Sequence, residues 1–146
     1  MPRFSYPETD LLYGILKSRR KKIRRFLRRG EIIGRNPYGD ASRFFDRAIE
    51  ELIVSDLRSR GFSGNIVGEE GGIRYGRRRG WIYIDPLDGS LNVVRGIDYY
   101  CCSMAYADGP KIQDIRSAVV WDIPNDVFYL AERGRGAYRI RGRKKE

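Results

Sequence analysis

Apolar residues recur along this chain with two different periods. Between residues 11 and 29, Leu12, Ile15, Leu16, Ile23, Phe26 and Leu27 fall at helical spacing, which defines one buried face and leaves Lys17, residues 19–22, 24–25 and 28–29 around the other side. Gly30 is a natural stop. A turn cluster at residues 36–40 leads into a second helix, expected over residues 41–60. Its stripe is Phe44, Phe45, Ala48, Ile49, Leu52, Ile53 and Leu57, closed by Gly61. Beyond Gly61 the pattern becomes that of strands. Residues 65–68 and 81–84 read as short buried strands. Residues 91–97 read as irregular or briefly helical. Residues 99–107, 115–121, 127–132 and 137–140 read as strands, separated by turn signals at Asp108-Gly109-Pro110, Pro124-Asn125-Asp126 and Gly134-Arg135-Gly136. Helices first and hairpin-spaced strands afterwards predict one α+β layered domain over residues 1–146, with two N-terminal helices packed on a mostly antiparallel sheet. The charged tail, residues 139–146, is expected to fray.

Composition narrows the chemistry. The chain carries 29 Lys and Arg against 19 Asp and Glu, a formal charge of +10, and no histidine. The charge favours anionic partners such as phosphate esters, nucleic acid or a membrane surface. The absence of histidine excludes His-activated nucleophiles and imidazole zinc sites. Acid–base work then falls to carboxylates, hydroxyls or metal-bound water. Cys101 and Cys102 are adjacent and cannot easily close an unstrained disulfide; they are expected as buried thiols of a cytoplasmic protein. Residues 1–6 hold no apolar signal core and no run reaches membrane-spanning length, so no membrane partner is expected. Few Asn, Gln, Cys and Met beside many Arg and Glu fit a thermophilic source. The basic side of the first helix has two readings, nucleic-acid contact or a solvated face. The second is preferred, because interleaved aromatics for base stacking are sparse.

Candidate chemistry sits where strand 81–84 ends, at Asp85-Pro86-Leu87-Asp88-Gly89-Ser90. Pro86 keeps Asp85 extended and Asp88-Gly89 turns the chain. Two carboxylates, the Leu87 carbonyl and the Ser90 hydroxyl are hard oxygen donors of the kind Mg²⁺ takes. Gly89 and Ser90 could offer backbone N–H groups to an anion. The strand at 65–68 likewise runs into Glu69 and Glu70. Two neighbouring strands that both end in acids would converge on one cation, since such acids unpaired would repel and raise their own pKa values. Asp40 can also be read as a helix N-cap, and Asp46 as an exposed helix carboxylate.

These residues resemble a known set. Asp85-Pro86-Leu87-Asp88-Gly89-Ser90 with Asn92 is similar to the DP(I/L)DG(T/S)xN motif of the inositol monophosphatase and fructose-1,6-bisphosphatase superfamily. Gly68-Glu69-Glu70 resembles its upstream GEE motif, residues 36–46 its NxxGDxxxxxD stretch, and residues 134–138 its GxGA(Y/F) hairpin. The resemblance runs through nearly the whole chain, in order, and implies the N-terminal half of the sugar-phosphatase fold, archaeal type. It implies a phosphomonoesterase that uses metal-activated water on a phosphorylated small molecule, with two or three Mg²⁺ ions. Glu69, Asp85 and the Leu87 carbonyl would hold one ion and Asp85 with Asp88 a second; Glu70 and Asp40 would serve a third. Asp46 with Ser90 would deprotonate the water, and Gly89 with Ser90 would hold the phosphate. Members are about twice as long, and their later half supplies a further acid in a WDxAA-like motif; Trp121-Asp122, in an expected hairpin, is not taken for it. A homo-oligomer or a complementary C-terminal-half chain is therefore expected, and nucleic acid is not. The rival reading is a non-catalytic basic module that binds nucleic acid on the same fold.

Overall fold

The computed structural model describes residues 4–142 and 144–145. Helix α1 spans Pro7–Phe26 and α2 spans Phe44–Ser59. Between them β1 (Ile32–Arg35) and β2 (Ala41–Arg43) form a separate antiparallel hairpin. The main sheet contains β3 (Asn65–Gly68), β4 (Gly72–Arg74), β5 (Trp81–Asp88), β6 (Cys101–Ala107), β7 (Ile115–Asp122), β8 (Val127–Glu132), β9 (Gly136–Arg141) and β10 (Lys144–Lys145). Their order is β10-β9-β8-β7-β6-β5-β3-β4. All neighbours are antiparallel except β3 and β5, which run parallel. A short helix, α3 (Ser90–Arg95), follows β5.

The two long helices lie on one face. Alternate sheet residues Ile82, Ile84, Met104, Val119, Trp121, Phe128 and Leu130 form one buried cluster with Leu12, Ile15, Leu16, Ile49, Ile53 and Leu57 of the helices. The other face carries Tyr83, Ala105, Ala118, Val120 and Tyr129, partly or fully exposed. The α+β layering expected from the sequence is therefore the observed one.

Element limits differ from the expected ones for identifiable reasons. Helix α1 begins four residues early, with Pro7 in its first turn, where proline needs no N–H partner. The backbone N–H groups of Ser5 and Tyr6, just before it, donate to the Glu132 carboxylate of β8 at 3.1 and 2.9 Å. Helix α2 begins at Phe44 rather than 41, because Ala41–Arg43 is taken by the hairpin. Its N-cap position is Arg43, so Asp40 is not a helix cap. The tail does not fray as expected: β9 runs to Arg141, and Lys144 and Lys145 pair with Arg141 and Ile140. Arg143 and Glu146 lie outside the described residues. Cys102 is buried, but Cys101 is only partly so.

Much of the basic side of α1 is engaged within the fold. Arg19 bonds Asp56 of α2 at 2.6 Å, while Arg20 and Arg24 reach Asp126 in the β7–β8 turn at 2.5 and 3.2 Å. Arg29 pairs with Glu31. Among the described residues no helix is long and apolar enough to cross a membrane.

Candidate active site

The parallel pairing of β3 and β5 aligns Gly68 with Ile84, so the next residues, Glu69 just past the end of β3 and Asp85 within β5, come side by side. Their carboxyls lie close enough for each to shift the other's pKa, and Asp85 Oδ1 accepts the Leu87 N–H at 3.2 Å. Glu69 is pushed up to about 7, first by partial burial of its carboxyl, then by the charge of Asp85 and its hydrogen bond, with Glu70 and Asp46 adding to it. Asp85 is raised as well, by burial first, with the charges of Asp88 and Glu50 behind it. β5 is bulged between Asp85 and Asp88 and leaves Asp88 exposed.

Asp46 enters from the first turn of α2 and is only 4 % exposed. It is not the exposed helix carboxylate that one reading of the sequence allowed. Its Oδ1 accepts the Ser90 hydroxyl at 2.6 Å, and the same hydroxyl oxygen lies 2.9 Å from the Leu87 carbonyl. Burial pushes Asp46 up to about 6, opposed by the Ser90 bond and assisted by the charge of Glu70. Gly89, between Asp88 and Ser90, has φ +93°, and a Cβ there would lie 2.8 Å from the Tyr99 carbonyl oxygen. Only glycine fits that turn, which delivers Ser90 to Asp46.

Glu70 is buried and accepts the Ser42 hydroxyl of β2. Burial raises its pKa, against the Ser42 bond. The β1–β2 turn is held by the buried Asn36, whose Oδ1 accepts the N–H groups of Tyr38 and Asp40 at 3.0 and 2.9 Å. Asp40 stands exposed at that turn, bonded through its backbone. The hairpin thus reaches the site through Ser42, a residue the sequence did not single out.

A second missed residue is Glu50, fully buried one helical turn after Asp46. Its oxygens accept the N–H groups of Glu70 and Gly71 and an Arg74 guanidinium N–H. Its only sequence signal was the four-residue spacing from Asp46 on one helix face. Asp122 does not extend the acid set. On β7 it faces Cys101, which in turn faces Asp88, so a whole strand separates the two acids, about 9–10 Å across the sheet. Both Asp122 oxygens accept bonds from Asn125.

Asp46, Glu69, Glu70, Asp85, Asp88, Leu87, Gly89 and Ser90 are thus gathered at one end of the β3–β5 pair, with Asp40 on the neighbouring hairpin. Among the described residues no three acids or thiols close tightly enough to enclose an ion as they stand. The donor set is nonetheless all hard oxygen, and Asp46, Glu69, Glu70 and Asp85 have pKa values raised first by burial and then by one another's charge. A divalent cation would offset that crowded negative charge, and by donor chemistry these residues fit Mg²⁺.

Known proteins place the chain. It is 32 % identical over 114 residues to a fructose-1,6-bisphosphatase/inositol-1-monophosphatase of Methanocaldococcus jannaschii, covering 77 % of this chain and 42 % of that protein. It is 38 % identical over 92 residues to Nus factor SuhB of Xylella fastidiosa, covering 63 % and 32 %. It superposes on the crystal structure of an inositol monophosphatase–fructose 1,6-bisphosphatase with TM-score 0.78 and 27 % identity, over 92 % of this chain and 52 % of that one. The chain therefore spans less than half the length of those two curated relatives. The profile of the inositol monophosphatase family matches residues 16–144, and the chain belongs to that family.

Proposed function

We propose that this chain carries the cation- and phosphate-binding half of a Mg²⁺-dependent phosphomonoesterase acting on a sugar phosphate, with inositol monophosphate and fructose 1,6-bisphosphate the leading substrates. The observation that carries the reading is the 2.6 Å bond from Ser90 to the buried Asp46, beside a Glu69–Asp85 pair short of positive charge. Glu69, Asp85 and the Leu87 carbonyl would hold one ion, Asp85 and Asp88 a second, and Glu70 with Asp40 a third. Bound there, Mg²⁺ would supply charge to offset the ester phosphate and to acidify a water. Asp46, raised to about 6 and so matched to neutral pH, would be the base for the attacking water, with Ser90 Oγ as the orienting hydroxyl. The N–H groups of Gly89 and Ser90 hold the phosphate. The exposed apolar sheet face, with Tyr83, Ala105 and Val120, is covered in this reading by a complementary C-terminal-half chain or a second copy, which completes the second ion site and the sugar contacts. The proposed setting is cytoplasmic.

The test is release of phosphate from a panel of sugar phosphates, by the chain alone and mixed with the C-terminal half of a relative. Mg²⁺-dependent release that falls a hundredfold or more in Asp46→Asn supports the reading. No release in either form, or release indifferent to Asp46→Asn, overturns it.

A further inference from the structure

We infer that Glu50 is a positioning residue for the cation site: it clamps the turn carrying Glu69 and Glu70 onto α2 and thereby sets Glu69 beside Asp85. The inference rests on the phosphatase reading for what the site binds.

The need for a clamp follows from electrostatics. Glu69 and Asp85 repel when ionised, and so do Glu70 and Asp46 near them. Acids that repel one another do not gather unaided, so some other contact must hold the β3–β4 turn in place before an ion arrives. Glu50 makes that contact. It is 0 % exposed, and it accepts the N–H groups of Glu70 and Gly71 at 2.7 Å each. Two bonds to successive peptide groups fix the path of the backbone immediately after Glu69. Arg74 of β4 donates to Glu50 at 2.8 Å and also pairs with Glu51, so the buried charge of Glu50 is itself compensated.

The glycines around the two acids report the same contact. A Cβ on Gly68 would lie 2.2 Å from Glu50 Oε1, and one on Gly71 would lie 2.1 Å from Arg74 Nη2. Gly68 and Gly71 bracket Glu69 and Glu70, and the Glu50 and Arg74 side chains lie directly against the backbone there. Since Asp46 and Glu50 are four residues apart on α2, one helical turn governs both sides of the site. Asp46 meets Ser90 directly, and Glu50 holds Glu69 in place through the backbone.

The test compares Glu50→Gln with Glu50→Asp, which keeps the charge but falls one methylene short. Two quantities are read: hydrogen exchange at the Glu70 and Gly71 amides in metal-free protein, and affinity for Mg²⁺ alone by calorimetry. Both variants should raise exchange at those two amides tenfold or more and weaken Mg²⁺ binding tenfold or more, with exchange in α1 unchanged. Unchanged exchange with Mg²⁺ affinity within twofold of the parent overturns the inference. So does full recovery in Glu50→Asp, which would make the effect one of charge alone. Should Glu50→Gln fail to fold, Arg74→Met strips the buried Glu50 of its cation and so loosens its hold on the two amides, which should raise exchange there and weaken Mg²⁺ binding about threefold; no change in either counts against the clamp. A parent chain that takes up no Mg²⁺ sinks the phosphatase reading instead, and amide exchange then decides Glu50 by itself.

Discussion

Glu132 and Glu69 are both glutamates at the ends of strands in one sheet, and their surroundings are opposite. Glu132, at the end of β8, accepts the N–H groups of Ser5 and Tyr6 and the Thr9 hydroxyl. Burial alone would raise its pKa, but those bonds outweigh burial and the net shift is downward. Glu69 meets other acids where Glu132 meets donors, and its pKa rises to about 7. Burial penalises the charged form in both places. What separates them is whether the neighbours supply hydrogen-bond donors or more negative charge. The first arrangement joins α1 to the sheet; the second holds negative charge that only a cation or protons relieve.

Four changes would break or sharpen that contrast. The largest stability effect is expected from Glu132→Gln. The amide cannot accept three bonds in the same geometry, and unfolding in denaturant should show a loss of about 2–4 kcal/mol, with Mg²⁺ affinity unchanged. Asp85→Asn should do the reverse. Metal-free stability should be unchanged or up to about 1 kcal/mol higher, since a repelling charge is removed, while Mg²⁺ affinity falls a hundredfold or more.

Acidity gives a third, smaller effect with opposite signs in the two regions. Glu69 and Asp46 have folded pKa values of about 7 and about 6 against ordinary values of 4.5 and 3.8. Their contribution to stability is fully present below the ordinary values and is lost as pH rises through 6 and 7. Glu132, shifted down, contributes above its ordinary value of 4.5 and loses that contribution as pH falls. Thermal melts should therefore show a larger Mg²⁺-induced rise at pH 8 than at pH 5. The smallest change is expected from Asp122→Asn, with Mg²⁺ affinity within twofold of the parent, because β6 stands between Asp122 and Asp88.

How much of this was legible in the sequence follows from the range of each interaction. Asp85, Asp88, Gly89 and Ser90 lie within six residues, and proline and glycine mark the turn, so local pattern revealed the motif. The meeting of Glu69 with Asp85 was also readable, because two strands each ended in an acid; that β3 and β5 pair in parallel, with β4 outside them, was not. The β1–β2 hairpin was missed because Ala41, Ser42 and Arg43 run without a break into a helical pattern and pair with residues that carry no strand alternation. The alternative reading of Asp40 as a cap fails for the same reason. Glu132 and Glu50 were silent: their partners lie 126 and 20 residues away, and a buried glutamate looks like any other until its donors are known.

The central claim is that acids from α2, β3 and β5 form one divalent-cation site. Calorimetric titration of Mg²⁺ into the chain at pH 8, beside Asp85→Asn, tests it most directly. The account predicts saturable binding that the substitution abolishes. A titration without heat, or binding of equal strength in both proteins, would contradict it.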